Sequence, residues 1–347
     1  MHMADALLSP LVGGAFWAIS GALIGYSAKQ VSLETDASKT PLMGVLGAFV
    51  FAAQMINFTI PGTGSSGHLG GGLLLSILLG PYRAFITLSS VLVIQSLFFA
   101  DGGLLALGCN MFNLAFFPAF IAFPFIYRVI AGNSASPGKH AAGIMTAAIT
   151  ALLMGAFCVV LETFLSGITE LPFSTFLLFM LPIHLAIGIV EGLVTWAVVS
   201  FVMKTEPTLL TGQPASSKPR FILGGFTIAA LIVGGAISWF ASSQPDGLEW
   251  SMAKVSQKEE LQSGNDKVHD ILASLQDRLA FLPDYAFKRS GNAVETKVIS
   301  SSPVNPGTSV SGIIGSLSVL LLAGAAGFVL RKSSPNKARC ISNKRAQ

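Results

Sequence analysis

The feature that most constrains this chain is where its Lys and Arg residues fall between its apolar runs. Nine such runs lie at about 9–27, 42–59, 68–80, 84–100, 108–127, 142–164, 173–203, 221–242 and 309–331. A helix needs about 20 apolar residues to cross a bilayer core. If each run crosses in turn, Lys29, Lys39, Arg83, Arg128, Lys139, Lys204, Lys218 and Arg220 share one side. The tail residues Arg331, Lys332, Lys337, Arg339, Lys344 and Arg345 join them. The short loops on the other side, 60–67, 101–107 and 165–172, carry no Lys or Arg. Basic loops stay cytoplasmic. The sequence therefore predicts an all-α polytopic membrane protein with an extracytoplasmic N-terminus and a cytoplasmic C-terminus. Charged residues are only 11% of the 347, and hydrophobic residues 52%, against about 25% charged in soluble domains. The net charge of +4 sits in loops and tail and does not point to nucleic acid. No basic segment precedes the first apolar run, so a cleavable signal peptide is not expected. The run 68–80 is short and glycine-rich, which predicts a tilted, broken or re-entrant span.

The first seven runs form one module, 1–205, expected to be a seven-span helical bundle. Residues 206–220 are polar and hold three prolines, Pro207, Pro214 and Pro219, and read as a cytoplasmic linker. Residues 221–347 form a module with two further transmembrane helices, an extracytoplasmic loop at 243–308 and a basic cytoplasmic tail. In that loop Pro245-Asp246-Gly247-Leu248-Glu249-Trp250 reads as a turn entering a helix. Val268, Ile271, Leu272, Leu275 and Leu279 recur at helical spacing. The Ser/Gly/Pro/Asn-rich stretch 289–310 reads as flexible linker.

The start Met1-His2-Met3 carries candidate chemistry. The Met1 amine, the His2 backbone nitrogen and the His2 imidazole can close two fused chelate rings on one ion, leaving a fourth corner open. His68, after the Gly/Ser-rich Pro61–Gly67, falls on the same expected side and can fill it. Such nitrogen donors suit Ni(II) or Cu(II), and imidazole also suits Zn and Fe; Co(II) accepts similar donors. Taken alone, the first ten residues favour chance, since chains begin with Met. Gln54, Asn57, Asn110 and Asn113 lie toward the same ends of their spans and are expected to orient the two imidazoles. Asp5 and Asp101 are candidates for steering cations inward. Glu162, His184 and Glu191 are ionisable groups at membrane depth, costly unless they face the bundle interior. His184 and Glu191 share one helix face and can pair to fix packing. Small residues Gly14, Ala18 and Ala22, with Gly21 and Gly25, form stripes that permit close helix approach, inside the bundle or to a partner subunit. Cys109, Cys158 and Cys340 are too scattered for a metal motif or a disulfide framework.

Other chemistries fare worse. Gly132 to His140 resembles a phosphate loop, but its glycine spacing is one residue too long and His140 replaces the Ser/Thr that holds Mg²⁺. Gly64-Ser65-Ser66-Gly67 matches the Gly-x-Ser-Gly pattern of rhomboid-type proteases, with His184 as a possible base. It is four residues of low complexity. A passive metal channel is a further alternative, though the mid-membrane polar residues are too sparse to mark a continuous path.

Longer motifs carry a resemblance. Met1-His2-Met3 with Leu8-Ser9-Pro10, Gln54–Phe58 through Gly62 to Leu69-Gly70-Gly71, Asp101–Leu104 to Asn110, and His184–Gly188 to Glu191-Gly192 resemble the CbiM/NikM family. Its members are the substrate-capture components of energy-coupling-factor transporters for cobalt and nickel. The resemblance covers roughly 1–205. The Pro245–Glu249 motif makes 221–331 resemble the small two-span companion, here fused. The resemblance implies a metal site built from Met1, His2 and His68. It also implies a transmembrane coupling subunit, cytoplasmic ATPases, a bacterial inner-membrane location, no enzymatic activity and no cofactor beyond the transported Co²⁺ or Ni²⁺. Around Asp5-Ala6-Leu7 the chain departs from the commoner Glu-Gly-aromatic, which leaves the ligands but alters the seat of the N-terminal arm. Cobalt is weakly favoured over nickel.

Overall fold

The computed structural model describes residues 2–34, 39–132, 136–211, 220–258, 261, 266–288 and 306–332. Among these residues, six helices are long and apolar enough to cross a membrane. They are α1 (Pro10–Leu33), α4 (Pro81–Phe99), α5 (Leu107–Ala131), α6 (Pro137–Ser166), α7 (Phe173–Thr205) and α12 (Pro306–Lys332). Two shorter apolar helices, α2 (Thr40–Gln54) and α9 (Arg220–Gly235), add to these. A stub, α8 (Thr208–Thr211), follows α7, and the rest of the expected linker, 212–219, lies outside the described residues. Proline sets several starts: Pro10, Pro41, Pro81 and Pro137 stand in first turns, where their missing N–H costs nothing. Residues Phe112–Tyr127 of α5 run as a wider π-helix that contains Pro118 and Pro124.

Two expectations change here. The run expected over 42–59 ends as a helix at Gln54, and the chain then makes a hairpin, β1 (Phe58–Ile60) and β2 (Ser65–Gly67). Phe58 pairs with Gly67, Thr59 with Ser66 and Ile60 with Ser65. Among the described residues the fold is thus helical apart from this one small sheet, and Gly62 and Gly64 take positive φ in its turn. The glycine-rich run 68–80 is broken: only α3 (Gly72–Leu79), of 8 residues, is helical. At 1.5 Å per residue that helix covers about 12 Å, and the residues before it, 68–71, are irregular, with Gly71 at φ 74°. Their backbone is not left bare. The Glu191 carboxylate, 3% exposed, accepts from Gly70 N at 2.7 Å and Gly71 N at 2.9 Å. Irregular backbone at membrane depth survives only with such partners, which accounts for a buried carboxylate on α7. The expected pairing of His184 with Glu191 is not made.

The two modules are packed together. A Cβ at Gly44 on α2 would lie 2.6 Å from Leu320 O on α12. A Cβ at Gly315 would strike the Phe51 ring. On α1 the buried residues are Gly13, Ser20, Ser27 and Val31. The Gly14/Ala18/Ala22 stripe points away from the bundle instead, with nothing within 4 Å of a Cβ at Gly14, Gly21 or Gly25. The loop 243–308 holds α10 (Gly247–Ser256) and α11 (Lys267–Leu279), as its turn signal and periodicity predict. Most of the stretch expected as flexible linker, 289–305, and the tail 333–347 lie outside the described residues.

Candidate metal centre

The chain before α1 is held as an arm. Met3 is fully buried. Its N–H donates to Asn110 Oδ1 at 2.7 Å, and its carbonyl accepts from Gly103 N at 2.9 Å and Asn110 Nδ2 at 3.2 Å. Asp5 Oδ1 accepts from Ala106 N at 2.9 Å. A short 3-10 turn, Asp5–Leu7, leads to Ser9, whose hydroxyl caps α1 at Val12 N. Only glycine fits at 103, because a Cβ would overlap the Asp5 carboxylate.

This arm lays His2 against His68. The two imidazoles stack with centroids 5.0 Å apart and planes 10° from parallel. His68 Nδ1 donates to the Leu69 carbonyl at 3.1 Å, which fixes the tautomer and makes Nε2 the acceptor nitrogen. His68 can act as a metal ligand only as the neutral ring. His2 Nδ1 lies 3.1 Å from Asp101 Oδ1, and the His2 side chain is 7% exposed. His2 Nε2 is buried with no hydrogen-bond partner. A chelate closed through the His2 backbone needs Nδ1, the nitrogen nearer the backbone, so holding an ion there requires the ring to leave Asp101. Met1 lies outside the described residues. Among the described residues no three His, Cys, Asp or Glu side chains are placed to hold a metal ion together.

The fused module closes over this spot. Pro245 O accepts from Ser66 N at 2.8 Å and Gln244 O from Ser66 Oγ at 2.8 Å, so the module extends the edge of β2. Trp250 Nε1 donates to Thr63 O at 3.0 Å. Asp246 caps α10 through Leu248 N and Glu249 N, and Glu249 returns a bond to Asp246 N. Asp101 accepts from the Tyr285 hydroxyl at 2.5 Å, so it joins the arm to the module. Burial opposes ionisation of Asp101, but the His2 ring and the Tyr285 hydroxyl outweigh it and hold its carboxyl well below the usual range. A cavity of about 540 Å³ runs past these groups, with Asp101, Asp246, Glu249 and Asp284 among its lining.

The four neutral residues expected around the imidazoles act elsewhere. Asn110 clamps the Met3 backbone. Asn113 Nδ2 donates to Glu162 Oε2 at 2.7 Å and faces Met3 S at 3.7 Å. Gln54 Nε2 donates to Gly70 O at 2.9 Å. Asn57 O accepts from Ser242 N, and its side chain borders the cavity. Of the four, only Asn110 and Gln54 bond backbone through their side chains, and of these only Asn110 serves the arm. The ring partner is Asp101, which sequence reasoning had seen only as a steering charge, and its neighbour Tyr285 was missed. The protease arrangement is not formed: Ser66 gives its proton to Gln244 O, and His184 Nδ1 faces Met180 O at 2.7 Å.

Residues 2–209 match the family model described as the cobalt uptake substrate-specific transmembrane region, CbiM, and 220–332 match the PDGLE domain. A protein of Archaeoglobus fulgidus assigned as a fused nickel transport protein, NikMN, is 35% identical over 243 residues, 70% of this chain and 77% of its own. A cobalt transport protein, CbiM, of Sorangium cellulosum is 29% identical over 218 residues, 60% and 94% of the two chains. The crystal structure of a transition metal transporter superposes with a TM-score of 0.53 at 30% identity, covering 61% of this chain and 97% of that one.

Proposed function

We propose, from the premise that this chain belongs to the CbiM family and carries a fused PDGLE domain of the NikN kind, that it captures Co²⁺ or Ni²⁺ for uptake. It does so as the substrate-binding component of an energy-coupling-factor transporter. The modules divide at 1–205, 206–220 and 221–347. The nine apolar segments cross as seven plus two, with the N-terminus outside and the C-terminus in the cytoplasm. A transmembrane coupling subunit and cytoplasmic ATPases supply the work, so this chain itself is not an enzyme.

The observation that carries this reading is the stack of His2 on His68 at 5.0 Å, on an arm bonded to its bundle through Met3 and Asp5. The ion enters along the acidic cavity, whose carboxylates favour a cation. His2 turns its Nδ1 from Asp101 to the ion. The Met1 amine, the His2 backbone nitrogen and the His68 imidazole complete a square plane. The ammonium form of the Met1 amine and the His2 amide N–H each give up a proton on binding, so affinity rises with pH.

The test is competition binding by the purified chain, comparing Co²⁺, Ni²⁺, Zn²⁺ and Cu²⁺ at one pH. An N-terminal extension, which turns the amine into an amide, and His68→Ala are each expected to abolish tight binding. Full affinity in either would remove that ligand from the site.

A further inference from the structure

We propose that His184 forms, with His68, a second metal position deeper in the bundle, onto which the ion passes after capture. The proposal rests on the capture reading above. His184 is fully buried on α7. Its Nδ1 faces the Met180 carbonyl one turn back at 2.7 Å. A carbonyl can only accept, so Nδ1 carries the proton and Nε2 keeps its lone pair. That Nε2 is buried and has no hydrogen-bond partner. The ring edge bearing it points away from its own helix. A Cβ built on Gly247 would lie 3.3 Å from His184 Cε1, so this edge meets the start of α10.

Burying an unpaired acceptor costs about 1–3 kcal/mol, so this nitrogen calls for a partner in the space beside it. What lies beside it is a cavity of about 10 Å³, lined by His184, His68, Asp246, Gly67, Gly70 and Gly247 among others. That is room for about one water or one small cation. His68 and Asp246 line this cavity and also the larger one, so they border both the capture site and the inner position. Gly70, Leu114 and Leu152 are shared in turn with a further small cavity lined by Asn113 and Glu191. Polar groups therefore follow one another from the arm into the bundle. Two neutral imidazoles suit a divalent transition metal, and the Asp246 carboxylate offsets its charge. With two protein nitrogens and water at the remaining corners, the position holds an ion weakly, as a transfer position must if the ion is to leave.

The experiment compares wild type with His184→Gln, whose amide can still donate to Met180 O. Equilibrium Co²⁺ binding is measured on the purified chain. Co²⁺ uptake is measured in proteoliposomes holding the whole transporter with its ATPases. The expected result is binding within about twofold of wild type and uptake reduced at least about tenfold, the rate loss for about 1.4 kcal/mol of lost stabilisation. Unchanged uptake overturns the proposal, as does parallel loss of binding and uptake in a folded variant. Should His184→Gln fail to fold, His184→Cys in a His2→Ala background is read by absorbance. A cobalt–thiolate charge-transfer band that disappears on adding His68→Ala supports the proposal, and absence of the band overturns it. Failure of wild type to bind Co²⁺ would sink the capture reading itself, an outcome distinct from these.

Discussion

His269 of the fused module pins the arm, and its removal is a quantitative test. The ring is 2% exposed. Its Nε2 lies 3.1 Å from Asp5 O and 3.0 Å from Leu8 O, and its Nδ1 lies 2.7 Å from Asp266 Oδ2. Both nitrogens face acceptors, so all these bonds are made together only by the doubly protonated ring. The two carbonyls share one N–H, which counts as a single charge-assisted bond of about 1.5–3 kcal/mol. Taking about 2 kcal/mol, His269→Ala raises the population of the opened arm about thirtyfold, at about 1.4 kcal/mol per factor of ten. The amides of Leu7 and Leu8, bonded to Ala4 O and Asp5 O, report this opening. Hydrogen exchange of the N-terminal peptide at fixed pH is expected to lose about that factor of protection. Unchanged protection in a folded variant would refute the clamp.

The same ring gives a pH dependence. Burial works against its charge, but Asp266 and the carbonyls of Asp5 and Leu8 outweigh that and raise its pKa. A raised pKa means the clamp is fully present below the unfolded value of about 6.5 and is lost as pH rises through the folded one. Arm protection, corrected for intrinsic exchange, should fall over that window in wild type and stay flat in His269→Ala. Gly247→Ala places a Cβ into Ile183 and should lower stability by about 1–3 kcal/mol through overpacking, read as a lower Tm in detergent. Asn110→Ala strands the buried Met3 N–H and is expected to cost about 1–3 kcal/mol, with weaker Co²⁺ binding in titration. Glu191→Ala leaves the amides of Gly70 and Gly71 without their acceptor, and its thermal unfolding should be the most destabilised of the set.

Much of this was legible in the sequence. Apolar run length located every helix of the bundle, since burial and backbone satisfaction in lipid leave few options. The Pro245–Trp250 segment announced a turn entering a helix because turn and helix-start chemistry is local. What escaped were contacts between distant segments. Nothing near Asp101 says that it receives His2 and Tyr285, and nothing near Glu191 says that it serves Gly70 and Gly71. Those pairings arise from which backbone groups the broken span and the arm leave unpaired, a three-dimensional matter. The target of the Gly14/Ala18/Ala22 stripe stayed open for the same reason: small residues permit close approach but do not say to what.

The pairing of Gln244 and Pro245 with Ser66 has a kinetic side. In a two-chain arrangement the piece that closes over the arm would have to find the bundle by diffusion, and occupancy would follow its abundance. Here the two matched regions, 2–209 and 220–332, lie in one chain, so there is one copy per bundle. A short tether sets a local concentration in the mM range. Even a closure too weak to survive dilution is then re-made after each opening, so the frequency of closure depends on tether length and not on expression.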